Sequence, residues 1–328
     1  MKIAFKEKDL KEFKKLVSTM DDNEAAALFY NILIKGEEKV DESLLPYPIK
    51  KLDPKEYKEN PYFINVRPES KKDGSFKLSY LKKPSHVGFV YDEMLVKGRY
   101  YEETTPFGYF EKPFEFLALL EKERIWMSVT PHEINTMKEP IKKAKGRVIT
   151  LGLGLGYFAY MVHLKDEVSH VTIIEKDPRV IKLFKANILP FFPRKEKIEI
   201  IEGDATEYMN DAAPFDYLFA DLWHFAIDGL PLYLKLNKFE GKYPSSVFDY
   251  WIEPSMLILI RKALIILAEE ELHHTSDDDY KDAMTVSDEL VNALHFLLKE
   301  KEMSSIDDLL EIMKEENLKS LAKTIYLQ

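Results

Sequence analysis

The sequence predicts an α/β fold built on a doubly wound, mostly parallel β-sheet. Three observations support this prediction. Apolar, strand-like runs alternate with segments of helical spacing from Val148 onward. Gly152, Gly154 and Gly156 join the first of these strands to the first helix. An acidic residue follows each of the next three strands, at the edge where open α/β sheets bind ligands.

The composition limits the classes of protein to consider. A chain of 328 residues has room for two domains or for one elaborated domain. Because it has no cysteine, disulfides, thiolate zinc sites and iron–sulfur clusters are excluded. The first residues are charged and amphipathic, and no run reaches about 18 uninterrupted apolar residues. We therefore expect a cytoplasmic protein without a signal peptide or a membrane span.

The negative charge is concentrated at one end of the chain. Residues 269–328 hold 16 acidic and 6 basic side chains, whereas residues 1–268 hold 41 of each sign. A neutral body without an arginine-rich stripe and interleaved aromatics lacks the usual features of a phosphate-binding groove. We expect a small-molecule substrate as partner, neither nucleic acid nor membrane, and leave the oligomeric state open, with a homodimer as one option.

The chain divides into four predicted sections. Residues 1–112 combine two helices at 9–34 with a β-rich region, in which YFINVRP and FKLSYL flank the turn KKDG as hairpin strands. Residues 113–145 have mainly helical spacing and form a connector. Residues 146–272 form the sheet domain. Residues 273–328 form an acidic tail of two or three helices, one of which begins with the capping box SSIDD.

The turn GLGLG is the first candidate binding element. Val148–Leu151 is a β-branched and apolar run typical of a buried parallel strand, and the segment after the turn has helical spacing. A turn without side chains lets a ligand approach the backbone, and the helix amides that follow favour an anionic group on that ligand. Tight packing of strand on helix is the alternative explanation of the glycines.

Three carboxylates strengthen the prediction of a nucleotide-type site. Glu175 follows the second strand, 19 positions after Gly156, where dinucleotide-type units place the acid that binds the ribose hydroxyls. Asp204 follows the third strand, and Asp221 follows the fourth. Since the carboxyl ends of parallel strands meet at one edge, we expect the three side chains around one site.

Residues 146–223 resemble the class I S-adenosylmethionine-dependent methyltransferases, and among these the spermidine synthase-like branch. The resemblance rests on the glycine motif, on Glu175 and on Asp204 within GDA, and it covers about a quarter of the chain. It implies a sheet of the class I methyltransferase type and S-adenosyl-L-methionine as cofactor. The three glycines would then line the cofactor, Glu175 would hold its ribose and Asp204 its adenine amino group, and Asp221 would lie near the sulfonium and the acceptor.

Two departures from that family leave the reaction open. Thr150 stands where the glycine motif usually begins with an acid. ADLWHF, after the fourth strand, matches neither the Asp-Pro-Pro-Tyr motif of amino-group methylators nor the Asp-Ser-x-Asp motif of aminopropyltransferases. We take Asp221, Trp223 and His224 as candidate catalytic residues. The indole can stack on an acceptor or simply fill the core, and the imidazole can accept a proton near neutral pH.

Several competing patterns are given less weight. A nicotinamide-binding unit prefers Gly-x-Gly-x-x-Gly, which would need glycine at Tyr157. NPYF at residues 60–63 follows charged residues and is interpreted as a turn without chemistry. HHTSDDD at residues 273–279 is interpreted as a solvated loop, and we expect no metal site. His132 and Glu133 are equally compatible with a site role and with a helix start capped by Thr130.

These inferences favour an S-adenosylmethionine-dependent methyltransferase acting on a small molecule. An aminopropyltransferase acting on a polyamine and a non-catalytic nucleotide-binding or structural protein are the alternatives. No two strands are recognisable after the fourth, and ALIIL fits either a helix or a short strand. A sheet shortened after strand 4 to about five strands would need the tail to cover its open edge. The acceptor pocket is expected between the N-terminal β-rich region and residues 228–250.

Overall fold

The structure, a computed structural model, describes residues 2–3, 49–85, 87–273 and 286–327. The helices predicted at residues 9–34 lie outside these ranges, as does nearly all of the loop predicted at 273–279. No helix within the described ranges is long and apolar enough to cross a membrane.

The described part of the chain before the glycine turn is a β-rich region with four short helices. The strands are β1 (Lys2–Ile3), β2 (Ile49–Lys51), β3 (Lys71–Asp73), β4 (Phe76–Lys83), β5 (Phe89–Val90), β6 (Leu95–Lys97), β7 (Glu102–Thr104), β8 (Phe107–Tyr109), β9 (Phe114–Glu121) and β10 (Arg124–Ser128). Strands β10, β9, β4 and β3 form an antiparallel sheet, and β2, β8 and β5 form a smaller mixed sheet. The helices are α1 (Pro54–Lys58), α2 (Pro61–Asn65), α3 (Pro131–Thr136) and α4 (Lys138–Lys143).

The helical prediction was wrong for residues 114–128, which form the hairpin β9–β10. β9 pairs along its whole length with β4, and its side chains are buried on both faces of the sheet. An apolar run buried on both faces has no period of two, so its pattern does not distinguish a strand from a helix. The turn also lacks the glycine or asparagine that usually marks a hairpin. Lys122 and Glu123 occupy its two positive-φ positions instead, at 49° and 64°.

The first hairpin lies where it was predicted, but its turn is shifted and one strand is wrong. The turn is at Gly74 and Ser75, because Lys71–Asp73 of KKDG form the short strand β3, which pairs with β4. Much of the predicted strand YFINVRP is helix α2 instead. Asn60 caps this helix by accepting a hydrogen bond from the Tyr62 N–H at 2.9 Å, and Pro61 occupies its first turn.

A five-stranded parallel sheet forms the second part of the fold, in the order β13-β12-β11-β14-β15. The chain leaves β11 toward one edge and later returns to its other side at β14. The carboxyl ends of these two neighbours therefore flank the switch point of the sheet. The strands are β11 (Gly146–Leu151), β12 (Val168–Glu175), β13 (Ile198–Glu202), β14 (Tyr217–Ala220) and β15 (Val247–Tyr250). The helices are α5 (Tyr157–His163), α6 (Pro178–Asn187), α7 (Ala205–Asn210), α8 (Ala226–Leu236) and α9 (Glu253–His273).

The sheet has about the number of strands expected, but the sequence analysis did not locate the fifth strand. β15 lies inside the segment expected to line the acceptor pocket, and it pairs in parallel with β14 from Tyr217–Val247 to Ala220–Tyr250. Four residues of mixed burial give too short a pattern to recognise. ALIIL belongs to α9, a single helix of 21 residues.

The tail packs against α9. It contains strand β16 (Glu302–Met303) and helices α10 (Asp288–Leu298), α11 (Ile306–Ile312) and α12 (Glu315–Ala322). The apolar face of α10 and the helix α12 contact α9, and the Arg261 guanidinium donates to the Met313 carbonyl at 3.1 Å. Lys323 also pairs with Glu240, in the segment just before β15, at 2.8 Å. The tail is therefore joined to the body by apolar contacts as well as by charges.

Removal of the tail is expected to cause aggregation. A chain truncated before Ser287 loses the side chains of Leu290, Val291, Leu294 and Leu298, which are buried in the full chain. The apolar face of α9 would then be exposed to solvent. Light scattering should show self-association, while the remaining monomer keeps its ligand affinity. A monomeric, stable truncate would show that the tail is an appended module.

Candidate functional site

A cavity of about 1750 Å³ opens where β11, β12, β13 and β14 end. The β-rich region forms its opposite wall, through β10, the start of α3 and the segment after β5. The structure brings all the sequence-predicted site residues to this cavity, which is lined by Gly152, Gly154, Gly156, Glu175, Asp204, Asp221, Trp223 and His224 together with Thr150, His132 and Glu133.

The three glycines of the turn are required for different reasons. All three have positive φ angles, of 97°, 53° and 74° in chain order. A Cβ on Gly152 would lie 2.1 Å from the Asp221 carbonyl oxygen, and one on Gly156 would lie 2.4 Å from the Phe184 ring. A Cβ on Gly154 would have no neighbour within 4 Å. Internal packing thus explains the outer two glycines, whereas Gly154 borders open space in the cavity.

Glu175 is held in place by the backbone that it faces. Its two carboxylate oxygens accept hydrogen bonds from the Leu153 N–H at 3.1 Å and from the Asp177 N–H at 2.8 Å. One of these donors belongs to the glycine turn, so the acid and the turn form one unit. A carboxylate has about four acceptor positions, so Glu175 keeps the capacity to accept bonds from a ligand.

Asp204 caps the N-terminus of a helix. One of its oxygens accepts from the Thr206 N–H at 2.9 Å and from the Thr206 hydroxyl at 2.6 Å, and these bonds begin α7. The hydrogen bond from the Thr206 side chain is the main cause that lowers the pKa of Asp204. The other oxygen lies 3.4 Å from the Lys176 ammonium. Asp204 is therefore a rigid anionic group at the end of β13.

Asp221 and Glu133 are two coupled carboxyl groups on facing walls. Burial raises the pKa of Asp221 to about 7, and within the described chain its side chain accepts no hydrogen bond. Burial also raises the pKa of Glu133 to about 8, and the charge of Asp221 adds to that shift. Glu133 accepts hydrogen bonds from the Thr130 N–H at 2.6 Å and the Ser128 hydroxyl at 3.2 Å. Both groups can therefore exchange a proton near neutral pH.

Two further titratable groups line the wall formed by the β-rich region. Burial raises the pKa of Glu93 to about 7, and this carboxyl accepts from the Ser255 hydroxyl and the Met94 N–H. Burial and the nearby charge of Lys83 lower the pKa of His132 to about 4, so its imidazole is neutral at pH 7. The edge of that ring contacts Trp251, with centroids 5.8 Å apart.

Trp223 is buried and hydrogen-bonded within the core. Its indole N–H donates to the Trp251 carbonyl at 3.0 Å. A Cβ on Gly229 of α8 would lie 2.5 Å from the indole, so this glycine permits the close packing of α8 on Trp223. The indole therefore lines the cavity as part of its floor.

His224 connects the two walls of the cavity. Its Nε2 lies 3.2 Å from the Trp126 carbonyl of β10, and its Nδ1 lies 3.5 Å from an oxygen of Asp228. Because a carbonyl only accepts, Nε2 carries the proton in the first contact. Both ring nitrogens thus face protein groups, and this geometry favours a bridging role for the imidazole.

The pKa values predict how stability changes with pH. A carboxyl whose pKa is raised by folding stabilises the folded state while protonated, and this contribution is lost as the pH rises through the folded value. Glu133, with a pKa of about 8, and Asp221, with a pKa of about 7, both act in this direction. His132, lowered to about 4, acts oppositely but only below the ordinary histidine pKa of about 6.5.

The free energy of unfolding should therefore fall from about pH 4.5, just above the ordinary carboxyl pKa, to about pH 8, where the last of these carboxyl groups ionises in the folded state. His132 only reduces this fall below about pH 6.5. Glu133→Gln should reduce this slope, since glutamine preserves the capping box but does not titrate. Urea denaturation at several pH values measures the effect. The exposed Glu139 provides the control, because Glu139→Gln should leave the slope unchanged. Equal slopes in wild type and Glu133→Gln would contradict the assignment of a raised pKa.

NPYF, interpreted from sequence as a turn without chemistry, supports the glycine turn from behind. The buried Tyr62 hydroxyl donates to the Leu155 carbonyl at 2.6 Å. The Asn60 side-chain amide donates to the Tyr157 hydroxyl at 2.9 Å, just after the turn. The β-rich region therefore fixes the backbone of the candidate binding element.

Sequence reasoning missed several residues of the cavity wall. Glu93, Trp126, Trp251 and Ser255 line the cavity, and they come from three segments that are distant in sequence. Their local patterns are those of ordinary loops, strands and helices. That these residues line one cavity becomes visible only when β10, α9 and the loop after β5 pack together in the fold.

No protein-family model and no curated protein matches this chain. Solved structures match in part. A spermidine synthase from Thermotoga maritima is 15% identical, with 42% of this chain and 52% of that chain covered and a TM-score of 0.30. An SAH-bound methyltransferase from Podospora anserina is 14% identical, with coverages of 51% and 68% and a TM-score of 0.30. A conserved hypothetical protein from Streptococcus pyogenes is 16% identical, with coverages of 33% and 68% and a TM-score of 0.27. The chain thus spans about half the length of the synthase.

Proposed function

We propose that the cavity binds S-adenosyl-L-methionine and that the protein is a methyltransferase acting on a small-molecule acceptor. The observation that carries the proposal is the open space at Gly154, one residue after Leu153, whose N–H is bonded to the Glu175 carboxylate. Internal packing does not explain this glycine, and its neighbour Leu153 orients the acid. The ends of four parallel strands surround the same space, as in class I methyltransferases.

The residues present fit such a cofactor. Glu175 would accept hydrogen bonds from the ribose hydroxyls, and the Asp204 oxygen that faces Lys176 would accept from the adenine amino group. The backbone at Gly154 would leave room for the remainder of the molecule. When bound, the cofactor supplies an electrophilic methyl group on a positively charged sulfur. The chain itself would align the acceptor in a cavity that excludes bulk water.

The acceptor must lose a proton when it is an amine or a hydroxyl. We assign proton acceptance to Asp221, whose raised pKa and open hydrogen-bonding capacity suit a general base near neutral pH. Because burial and the charge of Asp221 raise the pKa of Glu133 to about 8, Glu133 stays protonated while Asp221 is ionised. In this proposal His224 bridges to β10 through the Trp126 carbonyl, and Trp223 packs beneath the cavity as part of the core.

Aminopropyl transfer is the second candidate, and one observation favours it. Residues 146–223 contain few carboxylates that could hold a polyamine. The fold adds Asp92, Glu93 and Glu133 from the β-rich region to the same cavity. An acidic acceptor wall of this kind would suit a polycation.

The choice of donor distinguishes the two candidates. A bare ammonium, as in decarboxylated S-adenosylmethionine, would need an acid near the start of the glycine turn, but Thr150 is neutral and its hydroxyl donates to the Gly152 carbonyl at 3.2 Å. We expect the intact donor to bind at least about ten times more tightly, a difference of about 1.4 kcal/mol. Titration calorimetry with both donors measures this ratio.

The same titration should include S-adenosylhomocysteine and NAD. Equal or reversed donor affinities would contradict methyl transfer and favour aminopropyl transfer. Binding of NAD alone would indicate a nicotinamide site. Failure of all four ligands to bind would favour the non-catalytic alternative.

A further inference from the structure

The acceptor side of the cavity has an acidic interior and an apolar mouth. Ile125, Phe225 and Ile227 line the mouth, and their side chains are exposed to 55%, 72% and 53%. Exposed apolar clusters at the rim of a cavity are typical of ligand-binding surfaces.

The three apolar side chains belong to one surface. Ile125 precedes Trp126, and Phe225 follows His224, and these two neighbours meet through the 3.2 Å contact between Nε2 and the Trp126 carbonyl. The Trp126 and His224 rings also contact edge to face, with centroids 5.9 Å apart. Ile227 lies in the first turn of α8, two positions after Phe225.

The acidic interior lies deeper along the same strand. Ser128, three positions after Ile125 on β10, donates to Glu133 at 3.2 Å. Because a bulge between Ile125 and Met127 lets these positions span only two residues of β9, a rise of about 3.3 Å per residue places Ser128, which holds the Glu133 carboxyl, about 7 Å along the strand from Ile125. Asp221 couples electrically to Glu133 from the facing wall and accepts no hydrogen bond within the described chain. An acidic group open to a ligand is therefore present at the inner end of the path.

Acidic side chains predominate on this side. Asp92, Glu93, Glu133 and Asp221 all line it. Of the lysines that the structure describes there, Lys262 is paired with the buried Glu103 at 3.3 Å, which leaves Lys83 and the exposed Lys235 as the other cations. Four carboxyl groups thus outnumber the ammonium groups that could neutralise them.

We propose that the acceptor is a primary or secondary monoamine with an apolar body, whose ammonium enters toward Glu133 and Asp221 while its apolar part contacts Ile125, Phe225 and Ile227. The inference names the acceptor of the reaction proposed above and in that sense rests on it. A polyamine fits the geometry less well, because its second ammonium would lie against the apolar rim.

Calorimetric titration of the full chain saturated with S-adenosylhomocysteine tests this assignment. The probes are butylamine, hexylamine, hexamethylenediamine and hexanoate. Because each buried methylene contributes to binding, we expect roughly a fourfold gain per methylene from butylamine to hexylamine. Hexylamine should bind about tenfold more tightly than the diamine, since a charge on an apolar surface is unfavourable. Hexanoate should not bind measurably.

Two further measurements locate the ligand. Binding of the ammonium should ionise carboxyl groups in the interior and release protons, seen as a dependence of the enthalpy on the ionisation heat of the buffer. Glu133→Gln should weaken the binding of hexylamine several-fold. Phe225→Ser should abolish the gain in affinity from butylamine to hexylamine. Glu139→Gln, on the surface, should change neither.

Each contrary result has a distinct meaning. Tighter binding of hexanoate or of the diamine would overturn the inference. Binding of S-adenosylhomocysteine without binding of any amine would overturn it and leave the proposed function intact. Binding of hexylamine with the predicted dependences, but no binding of S-adenosylhomocysteine, would support the amine site and contradict the proposed cofactor.

Discussion

Gly152→Ala should destabilise the protein by about 3 kcal/mol or more, whereas Gly154→Ala should leave it folded. The added methyl at residue 152 would meet the Asp221 carbonyl oxygen at 2.1 Å, and backbone cannot move aside as a flexible side chain can. Overpacking costs about 1 to 3 kcal/mol, and a positive φ adds about 1 to 2 kcal/mol for any residue with a Cβ. At residue 154 only the second cost applies, since no atom lies within 4 Å.

The two variants also separate stability from binding. Gly154→Ala places a methyl in the space assigned to the cofactor, so its affinity for S-adenosylhomocysteine should fall at least about tenfold, or about 1.4 kcal/mol. Urea denaturation measures the first effect and calorimetric titration the second. Equal stabilities of the two variants would show that the contact at Gly152 relaxes easily. Undiminished affinity in Gly154→Ala would show that the ligand does not bind against the glycine turn.

Glu175→Ala should weaken the binding of S-adenosylhomocysteine by roughly 1 to 3 kcal/mol, the range for hydrogen bonds to a charged acceptor. Loss of the carboxylate removes the predicted ribose contact. It also frees the N–H groups of Leu153 and Asp177, which the side chain now holds, and so loosens the turn that borders the ligand. Titration calorimetry of variant and wild type measures the loss.

Glu202 provides a matched control for this substitution. It ends the neighbouring strand β13, directly opposite Glu175 in the register, but it is exposed and does not line the cavity. Glu202→Ala should therefore leave the affinity unchanged. Equal affinities of Glu175→Ala and wild type would contradict the ribose assignment, and an equal loss in both variants would indicate a general effect of charge at this edge.

The sequence was most informative where local pattern and chemistry coincide. β11, β12, β13 and β14 all lie where apolar, β-branched runs predicted them, and each candidate acid lies at or just after the end of its strand. The β-branched, apolar composition of a buried parallel strand and the special backbone of glycine are local properties, so they can be recognised without a partner. The gathering of these residues at one edge then follows from parallel pairing alone.

The sequence was misleading where burial on both faces removed the pattern. β9 was predicted as helix because its apolar side chains face two layers of the core, and β15 was missed because four residues carry too little signal. NPYF appeared to be an isolated turn, yet Tyr62 donates to the turn at Leu155, 93 positions later. A side chain's partner across such a separation is a property of the fold.

The sequence by itself determined the parallel sheet, the glycine turn and the carboxylates that follow β12, β13 and β14, because each depends on neighbours along the chain. Only the tertiary structure decided which glycine borders open space, and that Glu93 and Glu133 face Asp221 across one cavity. The pKa of a carboxyl depends on the water and charges around it, and these are set when distant segments pack together. The part of the cavity around the glycine turn is therefore determined largely by one stretch of sequence, whereas the wall formed by the β-rich region comes together only in the folded chain.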